Sequence, residues 1–280
     1  GEADLSQLPL PFIESMSYIP YDITQSGDGG IDGVVKLETG AQRTHLNLSQ
    51  GSFGHRAFDI YLNKQISGFW TSFQLGQRRE DGNYPVIWDG NQSRRENNQL
   101  DQQFAAITLR KMIRSDLYWQ LTAMSSRQSR GVAGLLWSPD TISHRNDQLT
   151  LLGSSLGWIR HNGSSHLHFA VRNSEEKYVN PYLNVRSDHR LQGYYINLKD
   201  EQHFGKRLEL NSDVRYNLDK ITSSSTSNHS RNTYSGSLAP TLLILKNIRV
   251  TPTLKFHYSP QLYKEFLNDF QIQIPLQWGP

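Results

Sequence analysis

Ten histidines stand in this 280-residue chain. Two of them, His166 and His168, lie two apart and so share one face of an extended segment, with His161 close by. Imidazoles at that spacing can meet one metal ion, but the sequence fixes no carboxylate partner for them. Exposed imidazoles without a metal are therefore the plainer expectation. A second set of donors occupies residues 80–101, where Asp81, Asp89, Glu96 and Asp101 are mixed with Asn83, Asn91, Asn97 and Asn98. Such a stretch could supply the ~6–8 oxygen ligands that calcium takes. Arg78, Arg79, Arg94 and Arg95 are interleaved and oppose a cation, so no cofactor is expected and calcium stands as the one alternative. A third set is aromatic. Tyr84, Trp88 and Trp137 sit in otherwise polar stretches, where they could stack on a small-molecule ligand or simply pack a loop.

Covalent and hydrolytic chemistry finds little support. There are no cysteines, which excludes disulfides, thiolate metal sites and cysteine nucleophiles. His-Glu-x-x-His and phosphate-loop motifs are absent. Any Ser/His/Asp set chosen from so many candidates would be arbitrary, and the chain is read as a non-enzyme. A net charge of +3 with basic residues scattered among Asp and Glu gives no groove for nucleic acid.

The elements that must carry these residues have a period of two. Leu46 and Leu48, then Phe58, Ile60 and Leu62, then Phe73 and Leu75, each alternate with polar neighbours. Leu117, Trp119, Leu121 and Ala123 do the same. The longest run is Leu208, Leu210, Ser212, Val214, Tyr216 and Leu218, with Glu209, Asn211, Asp213, Arg215 and Asn217 between them. Val250 to Tyr258 and Phe270 to Trp278 continue it. Strict alternation means strands with one apolar and one polar face, about a dozen of them by this pattern. Tight turns at 65–68, 161–164 and 245–248 alternate with long polar connections at 80–100, 127–147 and 219–232.

A mean hydropathy of −0.61 would ordinarily mean a soluble protein. A membrane-crossing strand, however, needs only about 9–11 residues with every second one apolar. No stretch approaches the roughly 20 apolar residues of a spanning helix. Short turns at one end and long loops at the other are the layout of outer-membrane barrels. Phe69-Trp70, Tyr118-Trp119, Trp158, Tyr194-Tyr195, Tyr216 and Tyr258 are expected near strand ends, as interfacial girdles. A soluble, carbohydrate-binding β-sandwich is the rival, with the polar alternates as its solvated face and the aromatics in its core.

The first 40 residues differ from the rest. Pro9, Pro11 and Pro20 precede the turn-rich Ser26-Gly27-Asp28-Gly29-Gly30-Ile31-Asp32-Gly33, and Val34, Val35 and Leu37 follow in extended spacing. The segments Ala3-Asp4-Leu5-Ser6-Gln7-Leu8-Pro9, Ile13 to Ile19 and Gly30 to Leu37 together resemble the C-terminal part of the plug domain of TonB-dependent outer-membrane receptors, the cobalamin transporter branch most of all. The match covers about the first 65 residues, with Gly51-Ser52-Phe53-Gly54 standing where the family's first barrel hairpin would be. Pro20-Tyr21-Asp22 replaces the family's arginine-glycine-proline turn, and Asp32 replaces the first glycine of its Gly-Gly pair while Gly33 keeps the second.

The resemblance implies a fold and a role. The fold is an all-β antiparallel transmembrane barrel, partial here, after the end of a small α+β plug, with residues 1–40 as plug and 41–280 as barrel. Gly29, Gly30 and Gly33 form the plug turn. The role is TonB-dependent uptake of a scarce nutrient such as siderophore-iron or a corrinoid in the bacterial outer membrane. Its partners are lipid, a TonB-type energy-coupling protein and a small-molecule ligand. Cobalamin transporters also bind calcium in an early extracellular loop, which bears on residues 80–101. The altered turn at Pro20–Asp22 raises a degenerate, non-transporting barrel as the alternative. Plugged transporters close with about 22 strands, so a piece of a longer polypeptide is expected.

Overall fold

A computed structural model describes residues 15–19, 34–38, 44–224, 227–245, 248–260 and 267–273. Gly29, Gly30, Gly33 and the Pro20–Asp22 turn lie outside the described residues. The described elements are all strands: β1 (Ser15–Ile19), β2 (Val34–Glu38), β3 (His45–Gln50), β4 (Arg56–Ile66), β5 (Phe69–Glu80), β6 (Tyr84–Trp88), β7 (Asn91–Arg95), β8 (Leu100–Arg114) and β9 (Leu117–Gly131). They continue with β10 (Gly134–Leu135), β11 (Ser138–Pro139), β12 (His144–Arg160), β13 (Gly163–Asn180), β14 (Val185–Phe204), β15 (Leu208–Ser223), β16 (His229–Leu245), β17 (Ile248–Tyr258) and β18 (Leu267–Gln273). β1 and β2 form a two-stranded antiparallel sheet of their own, within the segment read as plug.

Twelve strands make one antiparallel meander in the order β18-β17-β16-β15-β14-β13-β12-β9-β8-β5-β4-β3. β6–β7 and β10–β11 are small hairpins outside it. β12, β13 and β14 run 17, 18 and 20 residues, well beyond the roughly 9–11 needed to cross a bilayer. β3 and β18 each have one neighbour, so the sheet does not close among the described residues.

Period two fixes which way each side chain faces, and the register turns that into rows across the wall. Leu62, Phe73, Ile107, Ala123, Leu152, Val171, Tyr194 and Leu218 stand opposite one another in turn, one from each of eight adjacent strands. This apolar row faces outward. The opposite face is largely polar, with Gln102, Gln128 and Asp147 as register partners and all buried, around a small apolar cluster of Phe104, Ala106, Met124 and Leu149. The inversion is sharpest between neighbours in sequence. Asn197 is 1% exposed beside Leu198 at 48%, and Asp213 is 6% exposed beside Val214 at 54%. A sheet in water buries its apolar face. This one presents it, as a wall in lipid does. The sandwich reading fails here, because no second sheet covers these outward residues in the described structure.

One end of the sheet has short connections. At the β4–β5 turn, Ser67 and Gly68 both take positive φ (50° and 79°), the mirror-type turn that matches the twist of a two-residue hairpin. Trp70, Trp119 and Trp158 gather toward this end, where Trp158 donates from Nε1 to Asp116 and Trp119 to Ser154. Tyr216, Tyr234 and Tyr258 form an outward stack across β15–β17, with centroids 5.0 and 6.2 Å apart. Tyr194 and Tyr195, expected near a strand end, instead fall in the middle of β14, because that strand runs on in both directions.

Candidate functional site

The long connections gather at the other end of the sheet, and they are shorter and more ordered than their polarity suggests. β9 extends to Gly131 and β12 begins at His144, which trims the expected loop at 127–147; β15 likewise runs to Ser223. Within residues 80–100 the β6–β7 hairpin turns on Asp89 and Gly90, both at positive φ (49° and 71°), again the mirror-type two-residue turn. That turn sets Trp88 at the hairpin tip. The β10–β11 turn sets Trp137 at its own tip.

The two indoles meet, with centroids 5.8 Å apart and planes inclined by 37°. Trp137 stays 65% exposed. Polar ties hold the hairpins in place. Arg95 Nη2 donates to the Gly134 carbonyl at 2.8 Å. Asn97 Nδ2 donates to Ser143 O at 2.7 Å and to Val132 O at 3.2 Å. The Asp140 carboxylate accepts from the Ser143 hydroxyl and from the backbone N–H groups of Ile142 and Ser143. Those bonds, the Ser143 hydroxyl first, hold its pKa below the ordinary aspartate value although desolvation pulls the other way.

Tyr84 goes elsewhere. Its ring meets Phe53 edge-on at 5.8 Å, and Phe53 accepts at its carbonyl from the N–H groups of Asp81 and Gly82. The two rings line a recess of about 600 Å³ with His55, Glu80, Pro85 and Asn98. Of the three expected ligand residues, Trp88 and Trp137 are thus brought together and Tyr84 joins a neighbouring subsite.

A further recess of about 730 Å³ is lined by inward residues including Asp59, Arg78, Gln102, Gln128 and Arg130. Its charges are paired in short chains. Glu80 meets His55 at 2.9 Å and Arg78 at 2.5 Å. Outside the recess, on the neighbouring strands, Arg145 bridges Asp147 at 2.7 Å and Glu176 at 3.0 Å. Gln128 Oε1 and Asp147 Oδ2 are buried without a hydrogen-bond partner among the described residues. Deeper on the same wall, Gln74, Asn197 Oδ1 and Ser235 Oγ are in the same condition. Unpaired buried polar atoms are costly, and this wall offers a series of them to whatever occupies its concave side.

The metal expectations fall out differently. His166 and His168 stack at 6.2 Å, but both ring nitrogens of His166 already engage Tyr118 and Ser164. The oxygen-bearing residues of 80–101 do not gather: Asp89 is at a hairpin tip, and Asp101 accepts from Gln77 and faces Arg79 at 3.9 Å. Among the described residues, the carboxylates and imidazole whose ligand atoms converge are Glu201, His203 and Glu209. Sequence reasoning missed that trio. The Glu-x-His spacing was readable, but the third member depends on register across a turn.

No family model matches the chain, and no curated protein matches it either. Solved structures do. The siderophore receptor PirA from Pseudomonas aeruginosa aligns with a TM-score of 0.68 at 11% identity, over 90% of this chain and 44% of that one. A variant of the ferric enterobactin receptor PfeA from Pseudomonas aeruginosa gives 0.71 at 10% identity, over 96% and 47%. The copper transporter OprC gives 0.61 at 11%, over 87% and 41%. The chain spans somewhat less than half the length of each of these structures. At such identities the likeness establishes the fold, which is that of TonB-dependent outer-membrane receptors over part of their length.

Proposed function

We propose that this chain is the plug end (residues 1–40) and leading part of the barrel (41–280) of a bacterial outer-membrane transporter that takes up a scarce nutrient, either siderophore-iron, a corrinoid or a similar chelate. The observation that carries the reading is the inverted wall: an apolar row facing out across eight strands and buried, unpaired polar groups facing in. The outward row suits lipid. The inward groups suit a polar occupant, which in this reading is the plug, with the route for the nutrient opening when the plug moves. The Trp88–Trp137 pair and the Phe53–Tyr84 recess form the outer capture surface, where flat, exposed rings stack on a ligand at small conformational cost.

Energy in this reading comes from a TonB-type partner acting on a segment of the whole protein. The test is uptake of radiolabelled ferric siderophores and of cobalamin by cells expressing the whole protein, with and without that coupling protein. Accumulation of one ligand that depends on the coupling protein, and that falls in a W88A/W137A double variant, is the expected result. Binding at the cell surface without accumulation would overturn transport in favour of a receptor that no longer moves its ligand.

A further inference from the structure

At the short-turn end of the wall, β14 and β15 place three donors on one inward face. His203 and Glu209 are direct register partners, and Glu201 precedes His203 by one strand period. The face is the inward one, because Asn197 and Asp213 lie on it in the same unbroken register. Glu201 Oε1 is 2.9 Å from His203 Nε2, and Glu209 Oε2 is 4.0 Å from His203 Nδ1. One ligand atom from each residue lies within 4.8 Å of the other two.

We propose that Glu201, His203 and Glu209 form a binding site for a divalent transition cation such as Zn²⁺, on the inner wall at the short-turn rim. Three features support it beyond proximity. The donor set is mixed: one imidazole and two carboxylates suit Zn²⁺ and its neighbours in the first transition row and are all protein-supplied, leaving a fourth position open for water or cargo. The backbone is fixed on both sides, since the His203 N–H donates to Asn162 O in the adjoining turn at 2.8 Å while the β14–β15 ladder holds the other edge. Glu209 is also oriented from behind, by the Asn211 side-chain amide donating to its Oε1 at 2.6 Å, the kind of outer-shell contact that fixes a metal ligand.

The flanking rungs are neutral. Glu201 stands opposite Ser164 on β13, and Glu209 opposite Thr241 on β16. The basic groups in this region among the described residues include Arg160, whose guanidinium donates to the Glu201 carbonyl at 3.5 Å and pairs with Asp200, Lys199, which reaches toward Asp213 at 3.9 Å, and Lys206 and Arg207 in the turn itself. Without a cation, the two carboxylates flank one imidazole. With one, the imidazole and both carboxylates turn to the metal.

The experiment is calorimetric titration of ZnCl₂ into the whole protein carrying this chain, purified in detergent and first stripped with a chelator. H203A, the E201Q/E209Q double variant and H161A are titrated alongside it, and circular dichroism confirms that each keeps its strand content. The expected result is one Zn²⁺ per chain, weakened at least tenfold in H203A and in E201Q/E209Q and unchanged in H161A. Absence of Zn²⁺ binding by the wild type, or equal binding by H203A, would overturn the proposal. Because the readout is metal binding, failure of the uptake experiment above leaves this test intact, and the reverse also holds.

Discussion

The strand wall and the loop cluster at its mouth are built from the same antiparallel hydrogen bonding, but they are held in place by opposite means. Along the wall, any apolar side chain of suitable size serves at an outward position, because lipid asks for hydrophobicity and not for shape. Leu62, Phe73, Ile107, Ala123 and Val171 share one row with little regard for volume. In the mouth, two hairpins too short to stand alone are fixed by single groups with specific partners: Arg95 on Gly134 O, Asn97 on Val132 O and Ser143 O, Asp140 on Ser143. Redundancy protects the first region, whereas the second depends on a few bonds. Loops positioned in this way by a rigid scaffold are where binding concentrates.

The comparison breaks most visibly if a charge is put on the outward row. Leu152→Arg places a guanidinium near the middle of the apolar band and is expected to cost about 2–4 kcal/mol of folding stability in a bilayer. An inward polar exchange such as Ser126→Thr should cost far less. Denaturant unfolding in liposomes, followed by heat-dependent gel mobility, measures both. Equal effects on the two faces would mean that the wall does not sit in lipid.

Asn97→Ala tests the other half. It removes the side-chain donor from the Val132 and Ser143 carbonyls, of which Ser143 O keeps the Val132 N–H, at a cost of roughly 1–3 kcal/mol. The loss should stay local: faster protease cleavage within residues 132–143, with the unfolding midpoint of the wall little changed. Cooperative loss of the whole barrel would show that mouth and wall form one unit.

How much of this was legible in the sequence follows the same division. From Leu208 to Leu218 the alternation alone gives strand, face and environment, because parity settles each side chain's direction. The ends were less legible. Tyr194 and Tyr195 look like girdle residues until β14 is seen to run 20 residues, and 127–147 looks like loop although hydrogen bonding carries β9 and β12 well into it. In the mouth, Asp89-Gly90 was a readable hairpin signal, and both tryptophans were picked out by type. That Trp88 meets Trp137 while Tyr84 meets Phe53 depends on packing between separate loops, and no local pattern encodes that. Glu201, His203 and Glu209 were hidden for a related reason. Parity puts Glu201 and His203 on one face, but the register through the 204–208 turn decides that Glu209 is the residue opposite.

Trp137→Ala sharpens the contrast in the direction of function. The indole is largely exposed, so its loss should move wall stability by no more than about 0.5 kcal/mol. An aromatic contact to ligand is worth roughly 0.5–1.5 kcal/mol, so affinity for the transported chelate should fall about 2- to 10-fold. Fluorescence titration of wild type and variant with the ligand identified by uptake would measure it. A variant that binds as tightly as wild type would reduce the Trp88–Trp137 pair to loop packing and move the capture surface to the Phe53–Tyr84 recess.

The smallest effect expected is a pH dependence confined to the mouth. The Asp140 carboxyl titrates below its ordinary range because the Ser143 hydroxyl and two backbone N–H groups bond its charged form. A carboxylate whose folded pKa is depressed contributes stability that is fully present above its unfolded value. That contribution drains away as pH falls from about 3.9 through the lower folded value. The β10–β11 hairpin should therefore loosen in acid before the strand ladder does, and the Trp88–Trp137 contact should report it as a change in indole emission below about pH 4. Asp140→Asn keeps the shape, removes the charge and should abolish this early step while leaving any later unfolding of the wall in place. If emission and strand circular dichroism instead change together in both proteins, the loop cluster has no independent stability to lose, and the division between a redundant wall and a singly tied mouth does not hold.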